Sequence, residues 1–185
     1  MAKRKIDERC IRQTEAELGR LQQALSEAFK QRGSSASGWA AWKTAAERFR
    51  LYESPVFELW SDEAREGILR GEGSWRESAM LYIELSPRFF RSGYLRDRLC
   101  HLLKRCALSA SESCNVRRIL LETLVRRPSV GRFRHDCQLA ARWADDEFSA
   151  HVQELSYRKH GWVRGRAQRM LNVILQNKRR GNQEQ

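Results

Sequence analysis

Apolar residues recur at intervals of three and four along almost the whole chain. This spacing places them on one face of an α-helix, whereas a half-buried strand needs strict alternation, which no segment sustains. With 185 residues, the chain is long enough to bury a core without disulfides or metals. The sequence therefore predicts an all-α fold of one domain, or of one domain with an appendage.

Residues 1–32 are predicted to form a long N-terminal helix, and residues 33–38, Gly-Ser-Ser-Ala-Ser-Gly, a linker. Two interpretations of the helix stay open: self-association through residues 5–32 as a coiled coil, or packing against the rest of the chain. The second is favoured because Thr and Ala occupy seam positions. The apolar stripe consists of Ile11, Thr14, Leu18, Leu21, Leu25 and Ala28.

Residues 39–180 are predicted to form a series of helices, followed by a polar tail at 181–185. Trp39 and Trp42 lie on one face of the next helix, and we expect them in the core. Four signals predict helix starts further along. They are the pairs Ser54-Pro55 and Ser86-Pro87 and the capping boxes Ser74-x-x-Glu77 and Ser109-x-x-Glu112.

The pattern Arg-x-Arg followed by Leu occurs three times in the second half of the chain. The copies are Arg96-x-Arg98 with Leu103, Arg132-x-Arg134 with Leu139, and Arg164-x-Arg166 with Leu171. Their spacing is close to the length of one helical hairpin. When successive helices are paired as hairpins, each copy lies on the second helix of its hairpin, which we call the second member. We expect the second members at 94–107, 130–144 and 162–179.

The best copy reads Val163-Arg164-x-x-Ala167-x-x-x-Leu171, and Leu95-Arg96 and Val116-Arg117 repeat its first pair. This pattern resembles the second helix of a HEAT repeat, over residues 74–179 at most. The resemblance implies a stack of helical hairpins, a HEAT-like α-solenoid that acts mostly as a scaffold for a partner. Two positions depart from it, since Val116-Arg117 falls on a first-member helix and Gly131 replaces an aliphatic residue.

The formal net charge of +12 is unevenly distributed along the chain. Residues 1–85 contain 14 basic and 14 acidic side chains, whereas residues 86–185 contain 21 basic and 9 acidic ones. Such an excess favours an anionic partner, either nucleic acid, an acidic protein surface or anionic lipid headgroups. We expect a non-enzymatic module that binds nucleic-acid phosphates, with an adaptor for an acidic protein as the alternative.

The candidate anion-binding residues form two groups on the outer and middle hairpins. The first is an aromatic and basic stripe, in which arginine would bind phosphate and an aromatic ring would stack on a base. It comprises Tyr94, Arg98, His101 and Arg105, with Trp162, Arg166 and Arg169 in the equivalent places. The second comprises Arg126, Arg127, Arg132 and Arg134. The alternative is structural: rings that fill gaps between repeats, and arginines that pair with acids or offset a helix dipole.

Enzymatic and metal-binding motifs are not recognisable in this sequence. We therefore expect no cofactor and no metal, although a HEAT-like nucleic-acid enzyme such as a base-excision glycosylase stays a remote alternative. Its candidate carboxylates are Asp136, Asp145 and Asp146, for which caps and salt bridges are the simpler explanation. Five Cys without a CxxC pair, and no signal peptide or apolar span, predict a cytoplasmic protein with reduced thiols.

Overall fold

The computed structural model describes residues 6–126, 132–159 and 161–183, and within these ranges the chain is helical without a single strand. The all-α prediction is therefore confirmed. A short 3₁₀ helix, Pro55–Trp60, follows the second α-helix. The α-helices are α1 Glu8–Gln31, α2 Ala36–Leu51, α3 Asp62–Arg70, α4 Trp75–Leu85, α5 Ser92–Arg105, α6 Ala110–Val125, α7 Phe133–Trp143, α8 Asp146–Ser156 and α9 Gly161–Gln183.

Helices α1 and α2 form a hairpin and pack extensively against each other. Ser35 caps α2 by accepting a hydrogen bond from the backbone of Gly38, so the second half of the expected linker 33–38 is helical. Gly38 lies close to the end of α1, because a Cβ there would collide with the carbonyl oxygen of Gln31.

The first half of α1 packs against the body of the protein. Ile11, Thr14 and Leu18 are buried, and the Thr14 hydroxyl lies 2.6 Å from that of Ser54 at the start of the 3₁₀ helix. The interpretation of α1 as a helix lying against the rest of the chain describes this arrangement, and self-association through residues 5–32 stays a prediction. The expectation of a buried Trp39 is wrong, since its side chain is 52% exposed.

The remaining helices pair as α4–α5, α6–α7 and α8–α9, and the first members contact one another in the order α4, α6, α8. Ion pairs join successive first members. Arg76 of α4 lies 3.2 Å from Glu112 of α6, and Glu84 lies 2.9 Å from Arg118. Both contacts join residues of similar separation in the chain, so α4 and α6 run in the same direction.

The second members α5, α7 and α9 form a parallel series in the same way. Arg96 of α5 pairs with Asp136 of α7 at 2.7 Å, and further along the Trp143 indole donates to the carbonyl of Leu103 at 3.2 Å. Asn177 of α9 donates to the carbonyl of Ala141 of α7 at 2.9 Å. The N-terminal ends of all three helices therefore lie at one end of the series.

The sequence signals for helix starts have mixed outcomes. Ser54-Pro55 begins the 3₁₀ helix, and Ser109 and Glu112 form the capping box expected of them. Ser74 precedes α4 but makes no side-chain cap. The expected start at Ser86-Pro87 is wrong, because Ser86 ends α4 in the left-handed conformation, with φ of 44°.

The hydrophobic core runs continuously through these helices, and three cysteines belong to it. Burial raises the pKa of the Cys100 and Cys137 thiols to about 12 and also raises that of Cys106. All five cysteines are free thiols. Within the residues described, no helix has the length and apolar character to cross a bilayer.

Candidate functional site

Charge is divided between the two series of helices. Helices α5, α7 and α9 contain twelve Lys and Arg against two acidic residues, whereas α4, α6 and α8 contain three against seven. The positive excess of the second half of the chain thus lies on the second members of the hairpins. A surface of one sign attracts ligands of the opposite sign over distances of about a Debye length, ~8 Å at physiological salt.

The two acidic residues of the basic series both face the α5–α7 interface. Asp136 is fully buried with Arg96. Asp97 is mostly buried, accepts a hydrogen bond from the backbone nitrogen of Arg132 at 2.9 Å and lies 3.9 Å from His135. Neither carboxylate is therefore presented to solvent beside the exposed arginines.

The solvent-facing sides of α5, α7 and α9 form a surface that we call the outer face. We define it by Tyr94, His101 and Arg105 on α5, Arg134 and Arg142 on α7, and Trp162 and Arg169 on α9, all of them exposed. None of its four arginines forms an ion pair with a described residue. Helical geometry spreads the face along about 16 Å of α5, from Tyr94 to Arg105.

Arg98 and Arg166 lie beside this face but are half-buried. The Arg98 guanidinium lies 5.9 Å from the Trp60 ring and 3.5 Å from the carbonyl oxygen of Ser61. That of Arg166 lies 4.3 Å from the Phe133 ring and 3.4 Å from the carbonyl oxygen of Arg126. Aromatic rings and carbonyls contact these two cations. Neither forms a salt bridge with a carboxylate of the described residues, although the buried Asp136 attracts Arg166 electrostatically.

The second basic group lies where α6 leads into α7. Arg126 is exposed but paired with Glu122 at 2.7 Å, so only part of its charge is available. Arg132 and Arg134 are exposed at the start of α7 and have no ion pair with a described residue. Arg127 lies outside the described residues.

The first turns of α5 and α7 add to this positive charge. The N-cap residues are Arg91 and Arg132, and neither makes a side-chain cap, whereas Ser109 and Asp145 cap α6 and α8. An arginine at an N-cap supplies no side-chain acceptor for the backbone N–H groups at the positive end of the helix dipole. At α7, Asp97 already accepts a hydrogen bond from the backbone nitrogen of Arg132, so of the two it is the start of α5 that is locally suited to an anion.

His101 contributes little charge at neutral pH. Partial burial, with the neighbouring cations Lys104 and Arg105, lowers the pKa of His101 below its ordinary value of 6.5. A neutral imidazole can still donate one hydrogen bond. In the outer face, His101 is therefore a polar residue that lies beside the arginines and adds little positive charge.

Three residues that the sequence did not indicate also lie in this region, namely Trp60, Phe90 and Arg91. Together with Tyr94 they line an open depression of about 760 Å³ beside the start of α5. The adjacent Phe89 is buried, whereas Phe90 is 54% exposed. The sequence of two adjacent Phe residues does not predict which of them is buried, because their burial depends on the conformation of the loop before α5.

The repeated Arg-x-Arg motif is not in structural register. Arg132 precedes the first residue of α7, whereas Arg96 and Arg164 lie a full turn inside α5 and α9. The residue opposite Arg96 is Asp136, one turn beyond Arg132, the first arginine of the middle copy. The first arginine of each copy therefore occupies a different environment, and in α5 it is buried rather than at the edge of the apolar face.

The three carboxylates considered for catalysis all have partners. Asp136 is buried with Arg96, Asp145 caps α8 and lies 3.0 Å from Arg117, and Asp146 lies 2.8 Å from Lys178. Caps and salt bridges thus account for them. Over the described ranges, no three His, Cys, Asp or Glu residues are grouped as metal ligands would be.

Comparison with family models, with curated proteins and with solved structures gives no match to this chain.

Proposed function

We propose that this chain is a binding module whose outer face contacts the phosphates of a nucleic acid. The observation that carries the proposal is the separation of charge, with the unpaired arginines on one series of helices and the acidic residues on the other. Phosphate contacts from arginine and from helix N-termini supply most of the affinity of non-specific binding.

The proposal includes the HEAT-like arrangement implied by the sequence resemblance. It is supported by three hairpins whose first members contact first members and whose second members contact second members. It is also supported by cross-contacts such as Arg76 to Glu112 and Ala141 to Asn177, which both join residues 36 apart. Stacked hairpins of this kind present a continuous surface built from equivalent helix faces.

Direct titration tests the proposed function. The full chain is titrated into labelled random-sequence oligonucleotides, single-stranded and duplex, at about 50 mM salt, where phosphate contacts are strongest. We expect saturable binding in the micromolar range or tighter. Absence of binding to either oligonucleotide at micromolar protein would remove the proposal.

A protein partner is the second candidate, and the exposed face of α2 favours it. Trp39 and Trp42 lie 4.8 Å apart between ring centroids and border a depression of about 430 Å³ with Lys43, Glu47 and Arg50. An exposed tryptophan packed beside a half-buried one is typical of protein interfaces. The test is affinity capture from a nuclease-treated lysate, in which a stoichiometric protein retained by the wild type is lost with Trp39→Ser.

A further inference from the structure

Three aromatic rings meet at the surface where the start of α5 lies beside the 3₁₀ helix. Trp60, Phe90 and Tyr94 are 37%, 54% and 64% exposed, and with Arg91 they line the 760 Å³ depression. We call these four residues the aromatic patch. Large aromatic side chains are the ones that a fold gains most by burying, so their exposure in a cluster marks a binding surface.

Neighbouring aromatic and arginine side chains hold the rings of the aromatic patch in place. Phe49 of α2 packs edge-on against Phe90, with ring centroids 5.7 Å apart. The guanidinium of Arg91 lies 5.1 Å from the Phe90 ring, and that of Arg98 lies 5.9 Å from the Trp60 ring. The aromatic patch thus combines exposed ring surface with positive charge, and its lining contains no carboxylate.

The backbone at Arg91 is itself unusual. Its φ of 66° lies in the left-handed region, which residues with a Cβ adopt rarely. Strained conformations of this kind persist where surrounding structure enforces them, and they cluster at binding sites. Here the conformation begins α5 without a side-chain cap, in a residue whose guanidinium lies close to Phe90.

The aromatic patch adjoins the outer face, because Tyr94 belongs to both. In a duplex the base faces are hidden within the stack, and a shallow patch could reach only phosphates and groove edges. In a single strand every base has an exposed π-face, and rings flanked by arginine are the surfaces on which such bases stack. We infer that the aromatic patch stacks unpaired bases, so that the nucleic acid bound by the outer face is single-stranded. This inference rests on the proposed function.

The test measures fluorescence anisotropy of the full chain with three labelled probes of equal length. They are a single-stranded oligonucleotide, the duplex of the same sequence, and an abasic strand that keeps the phosphates but lacks the bases. We expect the single strand to bind about tenfold more tightly than the abasic strand, which is the scale of one stacked base. Tyr94→Ala should remove most of this difference in affinity between the single strand and the abasic strand.

Two variants serve as controls. Tyr94→Phe keeps the ring and should keep the affinity for the single strand. Tyr157→Ala removes a ring that is 76% exposed elsewhere on the surface, and it should have no effect. Since Tyr94 is itself mostly exposed, its replacement leaves the core intact, which circular dichroism will verify.

The outcomes separate the inference from the function on which it rests. Equal affinity for the single strand and the abasic strand, or an unchanged affinity in Tyr94→Ala, would overturn the stacking inference while phosphate binding stands. Failure of all three probes to bind would overturn the proposed function and the inference together. Tighter binding of the duplex than of the single strand would also overturn the inference.

Discussion

Arg96 and Asp136 form a buried ion pair that joins α5 to α7, 2.7 Å apart and excluded from solvent. The Nε and Nη2 atoms of Arg96 and one oxygen of Asp136 have no protein partner. Removing one member of such a pair leaves an uncompensated charge in the core. The pair is therefore more sensitive to single substitution than any exposed ion pair in the described residues.

We expect Asp136→Ala to lower the free energy of unfolding by about 3–5 kcal/mol, measured by urea denaturation. The double variant Arg96→Met with Asp136→Leu removes both charges and should recover most of this loss. Asp146→Ala, which breaks a fully exposed pair with Lys178, is the control and should change stability little. A loss below about 1 kcal/mol for Asp136→Ala would contradict the buried pair.

Thiol reactivity follows burial at the residue scale. Cys114 is exposed, whereas Cys100, Cys106 and Cys137 are buried with raised pKa values and so have little thiolate at neutral pH. Brief alkylation of the native protein, followed by mass spectrometry, should label Cys114 first. The three buried thiols should react only after unfolding, and early labelling of any of them would mean that the core is open there.

The burial of Arg96 could not be predicted from the sequence around it. Periodicity correctly places Leu95, Leu99 and Leu103 on the buried face of α5. It also places Arg96 at the edge of that face, where an arginine ordinarily reaches solvent. Only the approach of Asp136 from α7 makes burial favourable, and no local pattern reports a partner so distant in the chain.

At the scale of elements, the α1–α2 hairpin depends on close approach at Gly38. Alanine is favoured over glycine within a helix by about 1 kcal/mol, yet a Cβ at Gly38 would collide with the backbone of Gln31. We expect Gly38→Ala to lower the free energy of unfolding by about 1–3 kcal/mol. Gly19→Ala in α1 is the matched control, since a Cβ there meets no atom within 4 Å, and it should stabilise the protein. Equal effects of the two substitutions would contradict the packing.

The ion pairs between α4 and α6 make stability depend on acid pH. A hydrogen bond from Arg118 lowers the pKa of Glu84. Burial raises the pKa of Glu112, but hydrogen bonds from Ser109 and Arg76 outweigh it, so that this pKa is also lowered. A carboxylate whose pKa is lowered in the folded state stabilises the fold at pH values above its unfolded pKa of about 4.5. This stabilisation is lost as the pH falls through the folded-state pKa.

Urea denaturation between pH 7 and 3 should show this loss of stability, and Glu84→Gln should make the loss smaller. An unchanged pH profile in that variant would contradict the assignment.

Two helix starts were predicted correctly because their sequence signals lie in neighbouring residues. The capping box at Ser109 and the Ser54-Pro55 start depend only on neighbouring residues, and both form. The same Ser-Pro pair at 86–87 follows a helix instead of starting one, because Ser86 closes α4 in a left-handed turn. Trp39 was expected in the core, but its side chain is 52% exposed. Its exposure depends on tertiary packing that the helical spacing of Trp39 and Trp42 does not encode.

At the scale of the whole molecule, the sequence placed the excess charge in the second half of the chain but could not assign it to one layer. The alternation of basic second helices with acidic first helices appears only when α5, α7 and α9 lie side by side. Of the residues chosen from sequence, the outer face contains Tyr94, His101, Arg105, Arg134, Trp162 and Arg169. Arg98 and Arg166 are half-buried beside it, and Trp60, Phe90 and Arg142 were not anticipated.

The salt dependence of oligonucleotide binding tests the central claim most directly. Log affinity against log salt has a slope of roughly −0.7 to −0.9 per phosphate contact, so each lost contact flattens the line by about that amount. We expect the double variant Arg134→Glu with Arg169→Glu to bind more weakly and with a flatter slope than the wild type. The control, Arg9→Glu with Arg48→Glu, makes the same change in net charge in the neutral half of the chain and should keep the wild-type slope. An unchanged slope in the outer-face variant, or equal flattening in the control, would contradict a phosphate-binding site on α5, α7 and α9.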